Sequence, residues 1–249
     1  MCFDTDSAPP IPVIAGAAVS HEHLELTAAD GNRFSAFLAL PDQPVEAGVV
    51  IYPDVRGLYR FYEELALRFA ERGQAAIAID YFGRSAGTGT RDDDFEYMPH
   101  VEQTTDANVQ ADAEAAIERL REAGAPTVFA VGFCFGGRAA WIAAAYGLGL
   151  SGAVGFYGSP TRERGGPSPV AVAAQMTCPV LALQAGDDGH ITAEDNAAFD
   201  AALTAAGVEH EVVVYDGAPH SFFDRKQEEF ADASDDAWRR TQEFIAQHA

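Results

Sequence analysis

In 249 residues the chain holds 38 Asp and Glu against 16 Lys and Arg, a formal charge of −22. Lys226 is the only lysine and the arginines are scattered, which argues against nucleic acid and anionic membrane surfaces as partners, since both are bound by clustered bases. Hydrophobic residues make up 48%, enough for one core, and no low-complexity linker or internal repeat divides the chain, so a single domain over residues 1–249 is expected.

The start, Met1-Cys2-Phe3-Asp4, has no basic n-region or apolar h-region, and a cytoplasmic location is expected. Residues 21–26 alternate in polarity and Asp30-Gly31 separates them from residues 33–40, which predicts a β-hairpin. Short apolar strands then interleave with helices: strand 48–52, a helix near 61–72 stopped by Gly73, and strand 75–80. A helix over about 106–123, a strand over 127–133 and a helix from about Phe135 continue the pattern. The uncharged stretch 139–161 reaches membrane-spanning length, but Gly147, Gly149 and Gly152 break it into a helix followed by a strand. Strands 152–156 and 180–184 follow, then a helix capped by Thr192 and ended by Gly207, strand 211–215, and a last helix capped by Ser234 and running to about Gln247. This order predicts an α/β fold: a mostly parallel central sheet with helices on both faces and the amino-terminal hairpin at one edge, its binding groups at the carboxyl ends of the strands.

The most informative segment is Val131-Gly132-Phe133-Cys134-Phe135-Gly136-Gly137. It places G-x-C-x-G-G where a strand passes directly into a helix, the arrangement of a nucleophile elbow with cysteine in the serine position. Small residues two before and two after the nucleophile are needed because strand and helix backbones crowd there, and the helix amino terminus offers N–H groups to a developing oxyanion. Downstream, Gly186-Asp187-Asp188-Gly189-His190 and Ala218-Pro219-His220-Ser221-Phe222 each follow a strand. Nucleophile, acid and histidine in that order form an α/β-hydrolase triad, with Asp187 or Asp188 as the acid.

These segments, with Tyr52-Pro53-Asp54-Val55-Arg56-Gly57 and Gly155-Phe156-Tyr157-Gly158, resemble the dienelactone hydrolase family over nearly the whole length. The resemblance implies an α/β-hydrolase fold, with Cys134 as nucleophile, Asp188 as acid, His220 as base, and the N–H groups of Val55 and Phe135 as the oxyanion hole. It implies no metal or organic cofactor. Asp54 stands where the archetype has a glutamate that contacts the cysteine, and is the candidate auxiliary carboxylate with a shorter arm. The archetype also holds its substrate carboxylate with arginines, one of them four residues past the histidine; that position is Asp224 here. Arg56, Arg84, Arg91 and Arg225 are the candidate replacements.

The expected activity is hydrolysis of a small ester or lactone through a thioester on Cys134. Alternatives are a broader carboxylesterase or thioesterase on the same triad, or a non-catalytic ligand-binding protein of the same fold. The oligomeric state is left as monomer or homodimer. Because a charge of −22 repels anions at long range, a neutral ester is favoured over an acidic lactone. His21 and His23 share a strand face without a third ligand and read as a solvated face, not a metal site. Residues 91–94 read as a solvated loop which, backed by Phe95, Tyr97 and Met98, is a candidate lid, and Cys178 reads as packing.

Overall fold

The computed structural model describes residues 7–17, 19–223 and 228–249. Its elements in chain order are β1 (Val19–Thr27), β2 (Arg33–Pro41), β3 (Ala47–Tyr52), α1 (Arg60–Ala70), β4 (Gln74–Ile79), α2 (Gly83–Ala86), α3 (Met98–Val101), α4 (Asp106–Glu122), β5 (Val128–Phe133), α5 (Phe135–Ala143), β6 (Gly152–Phe156), α6 (Pro169–Val172), β7 (Val180–Asp187), α7 (Ala193–Ala206), β8 (His210–Pro219) and α8 (Ala231–His248). The eight strands form one sheet in the order β1-β2-β4-β3-β5-β6-β7-β8. The pairs β1/β2 and β2/β4 are antiparallel, and all the others are parallel.

Helices cover both faces, so the central strands are apolar at consecutive positions instead of alternating with polar residues. Within β3, Val49 and Ile51 pack on the side of Phe61, Leu65 and Phe69 of α1 and Ile245 of α8. Val50 and Tyr52 pack on the other side, with Ile117 and Leu120 of α4, Trp141 of α5 and Phe199 of α7. The hairpin strand β1 is mostly exposed, as an edge strand built of alternating polar residues should be. Thr192 caps α7 with a reciprocal box: its hydroxyl accepts the Asp195 amide at 3.2 Å, and the Asp195 carboxylate accepts the Thr192 amide at 2.9 Å.

The fold agrees with the sequence expectation, with three corrections. Strand β8 extends to Pro219 because a register shift after Ala185 lets pairing resume between Asp187 and Pro219. Helix α8 begins at Ala231 after a 3-10 turn at Glu228–Phe230. Ser234 is therefore inside the helix and not its cap, and its hydroxyl donates to the Phe222 carbonyl at 2.9 Å, tying α8 to the segment after β8. The four-residue helices α2, α3 and α6 were not predicted, being too short to show a 3.6-residue period. No helix among the described residues is long and apolar enough to cross a membrane; the stretch 139–161 holds the end of α5, a loop and β6.

Candidate active site

The carboxyl ends of β3, β5, β7 and β8 open on one side of the sheet, and the residues that follow them meet in one cleft. Cys134 lies between β5 and α5 with φ 55° and ψ −112°, a conformation that L-residues rarely adopt. Two backbone approaches hold it there. A Cβ at Gly132 would lie 2.0 Å from the Gly136 carbonyl oxygen, and one at Gly136 would lie 2.0 Å from the Tyr52 and 2.2 Å from the Pro53 carbonyl oxygens. The Cys134 amide donates to the Phe156 carbonyl at 3.0 Å, fixing the elbow to β6. Cys134 is partly exposed, whereas Cys178 is buried, and burial pushes the Cys178 thiol up to about 12. Cys2 lies outside the described residues.

Resumed pairing between Asp187 and Pro219 brings the next residue on each strand together. Asp188 Oδ2 lies 2.6 Å from His220 Nδ1, and Asp188 Oδ1 accepts the His190 amide at 2.8 Å. Of the two candidate acids, Asp188 thus meets the histidine while Asp187 remains in the strand and exposed. The Asp188 side chain is fully covered. Burial works to raise its pKa, but the His220 hydrogen bond and the His190 and Ile191 amides outweigh it and hold the carboxyl below its ordinary value. An ionised Asp188 requires the proton on His220 Nδ1, which leaves Nε2 as the acceptor. The His220 ring also packs on Tyr157, centroids 5.0 Å apart. Tyr157 and Ser221, neighbours of the cleft, are with Cys134 the non-glycine residues of positive φ among the described residues, so backbone strain concentrates here.

Among the described residues the amides of Val55 and Phe135 donate to no protein acceptor, and both residues line the cleft with Cys134 and His220. Asp54 is fully buried and is not among the residues that line the cleft; its Oδ1 accepts the Arg56 amide at 2.9 Å and its Oδ2 accepts Arg56 Nη2 at 2.9 Å. The Asp54 amide donates to the Tyr62 hydroxyl at 3.0 Å. The turn on which Val55 sits is thereby clamped from both sides.

The candidate clamp arginines are corrected by their partners. Arg56 pairs with Asp54, Arg84 with Asp30 and Asp112, and Arg91 with Asp80, each at 2.9 Å or less, and none lines the cleft. Arg225 lies outside the described residues. Residues 92–94 are exposed, as a solvated loop should be, whereas Arg91 is buried, donates to the Gly87 carbonyl at 2.6 Å and pairs with Asp80 at 2.9 Å; none of residues 91–98 lines the cleft. His21 and His23 flank the Phe37 ring, at 5.5 and 5.0 Å between centroids. No group of three candidate ligands for a metal occurs among the described residues.

Sequence reasoning missed the wall formed by the segment between β6 and α6. The cleft, about 210 Å³, is lined there by Ser159, Arg162 and Arg164, and from other elements by Arg138, His190 and Ile191. The rule that binding groups follow the carboxyl ends of parallel strands, applied to β6, would have found Arg162 and Arg164. Arg138, four residues past Cys134 on α5, grips this segment: it donates to the Arg162 carbonyl at 3.0 Å and the Pro167 carbonyl at 2.7 Å, and pairs with Asp106 at 2.6 and 3.0 Å.

Known proteins share this arrangement of chain. The model of the dienelactone hydrolase family matches residues 34–249. The "Putative carboxymethylenebutenolidase" of Yersinia pestis is 30% identical over 230 residues, covering 88% of this chain and 85% of that one. Its namesake in Salmonella typhi is 31% identical over 231 residues, covering 88% and 84%. Among solved structures, the "Putative Dienelactone Hydrolase" from Klebsiella pneumoniae superposes with a TM-score of 0.82 at 26% identity, covering 92% of this chain and 99% of that one. A dienelactone hydrolase-like promiscuous phosphotriesterase from metagenomic libraries shares the fold, with a TM-score of 0.78 at 23% identity over 94% and 99%. The chain belongs to the dienelactone hydrolase family and is a carboxylic ester hydrolase of the α/β-hydrolase fold.

Proposed function

We propose that the chain hydrolyses a small ester or lactone by covalent catalysis on Cys134, with His220 as general base and acid and Asp188 as the group that fixes the imidazole. The observation that carries this reading is the 2.6 Å contact between His220 Nδ1 and the buried Asp188 carboxylate, in a cleft shared with the strained Cys134. His220 Nε2 takes the thiol proton as sulfur attacks the carbonyl carbon, and the amides of Val55 and Phe135 receive the oxyanion. Each such donor contributes roughly 3 kcal/mol to the transition state. The tetrahedral species collapses, the C–O bond breaks, and His220 returns the proton to the leaving oxygen, which in a lactone stays tethered to the acyl group. Water, deprotonated by the same nitrogen, then attacks the thioester carbonyl and expels the Cys134 thiol. Asp54 enters this reading as the carboxylate that, through Arg56, holds the Val55 amide in place, not as a second acid.

The test combines labelling and turnover. Iodoacetamide should alkylate Cys134 ahead of Cys178 in the folded protein and abolish hydrolysis of an activated ester, and His220→Ala should remove hydrolysis with the circular dichroism spectrum unchanged. Equal labelling of both thiols, or turnover that survives either treatment, would sink the mechanism.

A further inference from the structure

The two amides assigned to the oxyanion belong to different elements, Val55 to the turn after β3 and Phe135 to the start of α5. Joint stabilisation of one oxygen therefore depends on the spacing of two separate backbones, and a preorganised site needs something to set it. Asp80 and Tyr81, the two residues that directly follow β4, touch both sides. The Tyr81 hydroxyl donates to the carbonyl of Pro53 at 2.8 Å, two residues before Val55, and its ring meets the Phe135 ring edge-on with centroids 5.1 Å apart. Burial pushes the Tyr81 pKa well above its ordinary value, so the hydroxyl stays a neutral donor. A buried tyrosine needs a partner in any protein. What singles this one out is that its partner and its ring contact belong to the two halves of the hole.

Asp80 holds the other end of the same turn. Its Oδ1 accepts the Leu58 amide at 3.2 Å, three residues after Val55, while its Oδ2 accepts the Phe82 amide at 3.0 Å and Arg91 Nη2 at 2.9 Å. Gly57, at φ 80°, lies directly against this carboxylate: a Cβ there would stand 2.5 Å from Asp80 Oδ1. The Gly57 amide closes the turn on the Asp54 carbonyl at 3.1 Å. Asp54 thus shapes the turn from within, whereas Asp80 and Tyr81 fix it against β4 and α5. Both are buried and neither lines the cleft. We propose that Tyr81 and Asp80 are positioning residues of the oxyanion hole, which set the spacing of the Val55 and Phe135 amides without touching substrate. The inference rests on the reading in which those amides receive the oxyanion formed when Cys134 attacks.

Comparison of alkylation with acyl transfer separates positioning from general damage. Iodoacetamide alkylates Cys134 without forming an oxyanion. Ester hydrolysis forms one, and so does 2,2,2-trifluoroacetophenone, whose carbonyl carbon bonds reversibly to the thiol sulfur as a hemithioketal. Tyr81→Phe removes a single oxygen. It should lower kcat and kcat/KM on p-nitrophenyl acetate by roughly 10-fold each with KM unchanged, raise the ketone's inhibition constant by a similar factor, and leave the rate of Cys134 alkylation within about 2-fold of wild type. Asp80→Asn, which leaves the buried Arg91 without its anion, should give the same pattern with a larger loss; if it does not fold, Tyr81→Phe decides alone. Alkylation and hydrolysis that fall together in Tyr81→Phe, or a kcat and inhibition constant that do not move, would overturn the proposal. Alkylation of Cys134 that leaves wild-type turnover intact would remove both this inference and the hydrolytic reading. Alkylation that abolishes turnover, beside an unmoved Tyr81→Phe, would remove this inference alone.

Discussion

Replacing Arg138 by Met removes the central cation of the cleft wall while keeping a long apolar stem. The Arg138 and Asp106 side chains are 4% and 7% exposed and share two hydrogen bonds, of 2.6 and 3.0 Å. The substitution leaves the Asp106 carboxylate buried without its cation and takes the donor from the Arg162 and Pro167 carbonyls. Breaking a buried pair from one side costs about 3–5 kcal/mol. For a chain of this length each kcal/mol is worth roughly 2–4 °C, so Tm should fall by roughly 6–20 °C. The double variant Arg138→Met, Asp106→Leu removes both charges and should recover part of the loss, since no ion is then left uncompensated. Thermal and urea unfolding followed by circular dichroism would measure the cycle. A Tm change below about 2 °C for the single variant, or a double variant no more stable than the single, would refute this account of the wall.

Gly136→Ala places a methyl group 2.0 Å from a backbone oxygen of Tyr52, where no flexible side chain can yield; activity should fall at least about 100-fold with a marked loss of stability, and near-normal kcat would contradict the elbow geometry. Asp188→Asn should lower kcat/KM by roughly 10²–10⁴ through the wrong imidazole tautomer. Because the folded pKa of Asp188 lies below its ordinary value of 3.8, the stability its carboxylate contributes is fully present above that value and lost only as pH falls through the depressed pKa. The stability gap between wild type and Asp188→Asn should therefore be flat above 3.8 and close below it; a gap that closes between pH 5 and 7 would contradict the assignment. Burial pushes the Asp112 carboxyl up to about 6, against its bonds to Asn32 and Arg84. The folded state then holds this proton more tightly than the unfolded one, so stability falls as pH rises from 3.8 toward about 6. Asp112→Asn should flatten that slope in urea midpoints, and an unchanged slope would exclude Asp112 as its source.

Much of the fold was legible because its signals are local. Glycines and caps such as Gly207 and Thr192 mark the helix ends, and unbroken apolar runs such as 128–133 mark strands buried on both faces. The elbow was legible for the same reason, as crowding at Gly132 and Gly136 leaves a fixed spacing in the sequence. What lay beyond reach depends on partners distant along the chain. Nothing local distinguishes Arg84, neutralised by Asp30 and Asp112, from Arg164, which has no ion pair among the described residues and lines the cleft. Ser234 has the composition of a cap, yet its hydroxyl is used by Phe222, 12 residues earlier.

The most direct test of the central claim is the site of the covalent intermediate. Acid quenching of the protein milliseconds after mixing with an activated ester, followed by peptide mass spectrometry, should find the acyl group on Cys134 as a thioester. The adduct should be absent from Cys134→Ala and should persist longest in variants that slow deacylation. Acylation at another residue, or undiminished turnover by Cys134→Ala, would contradict it.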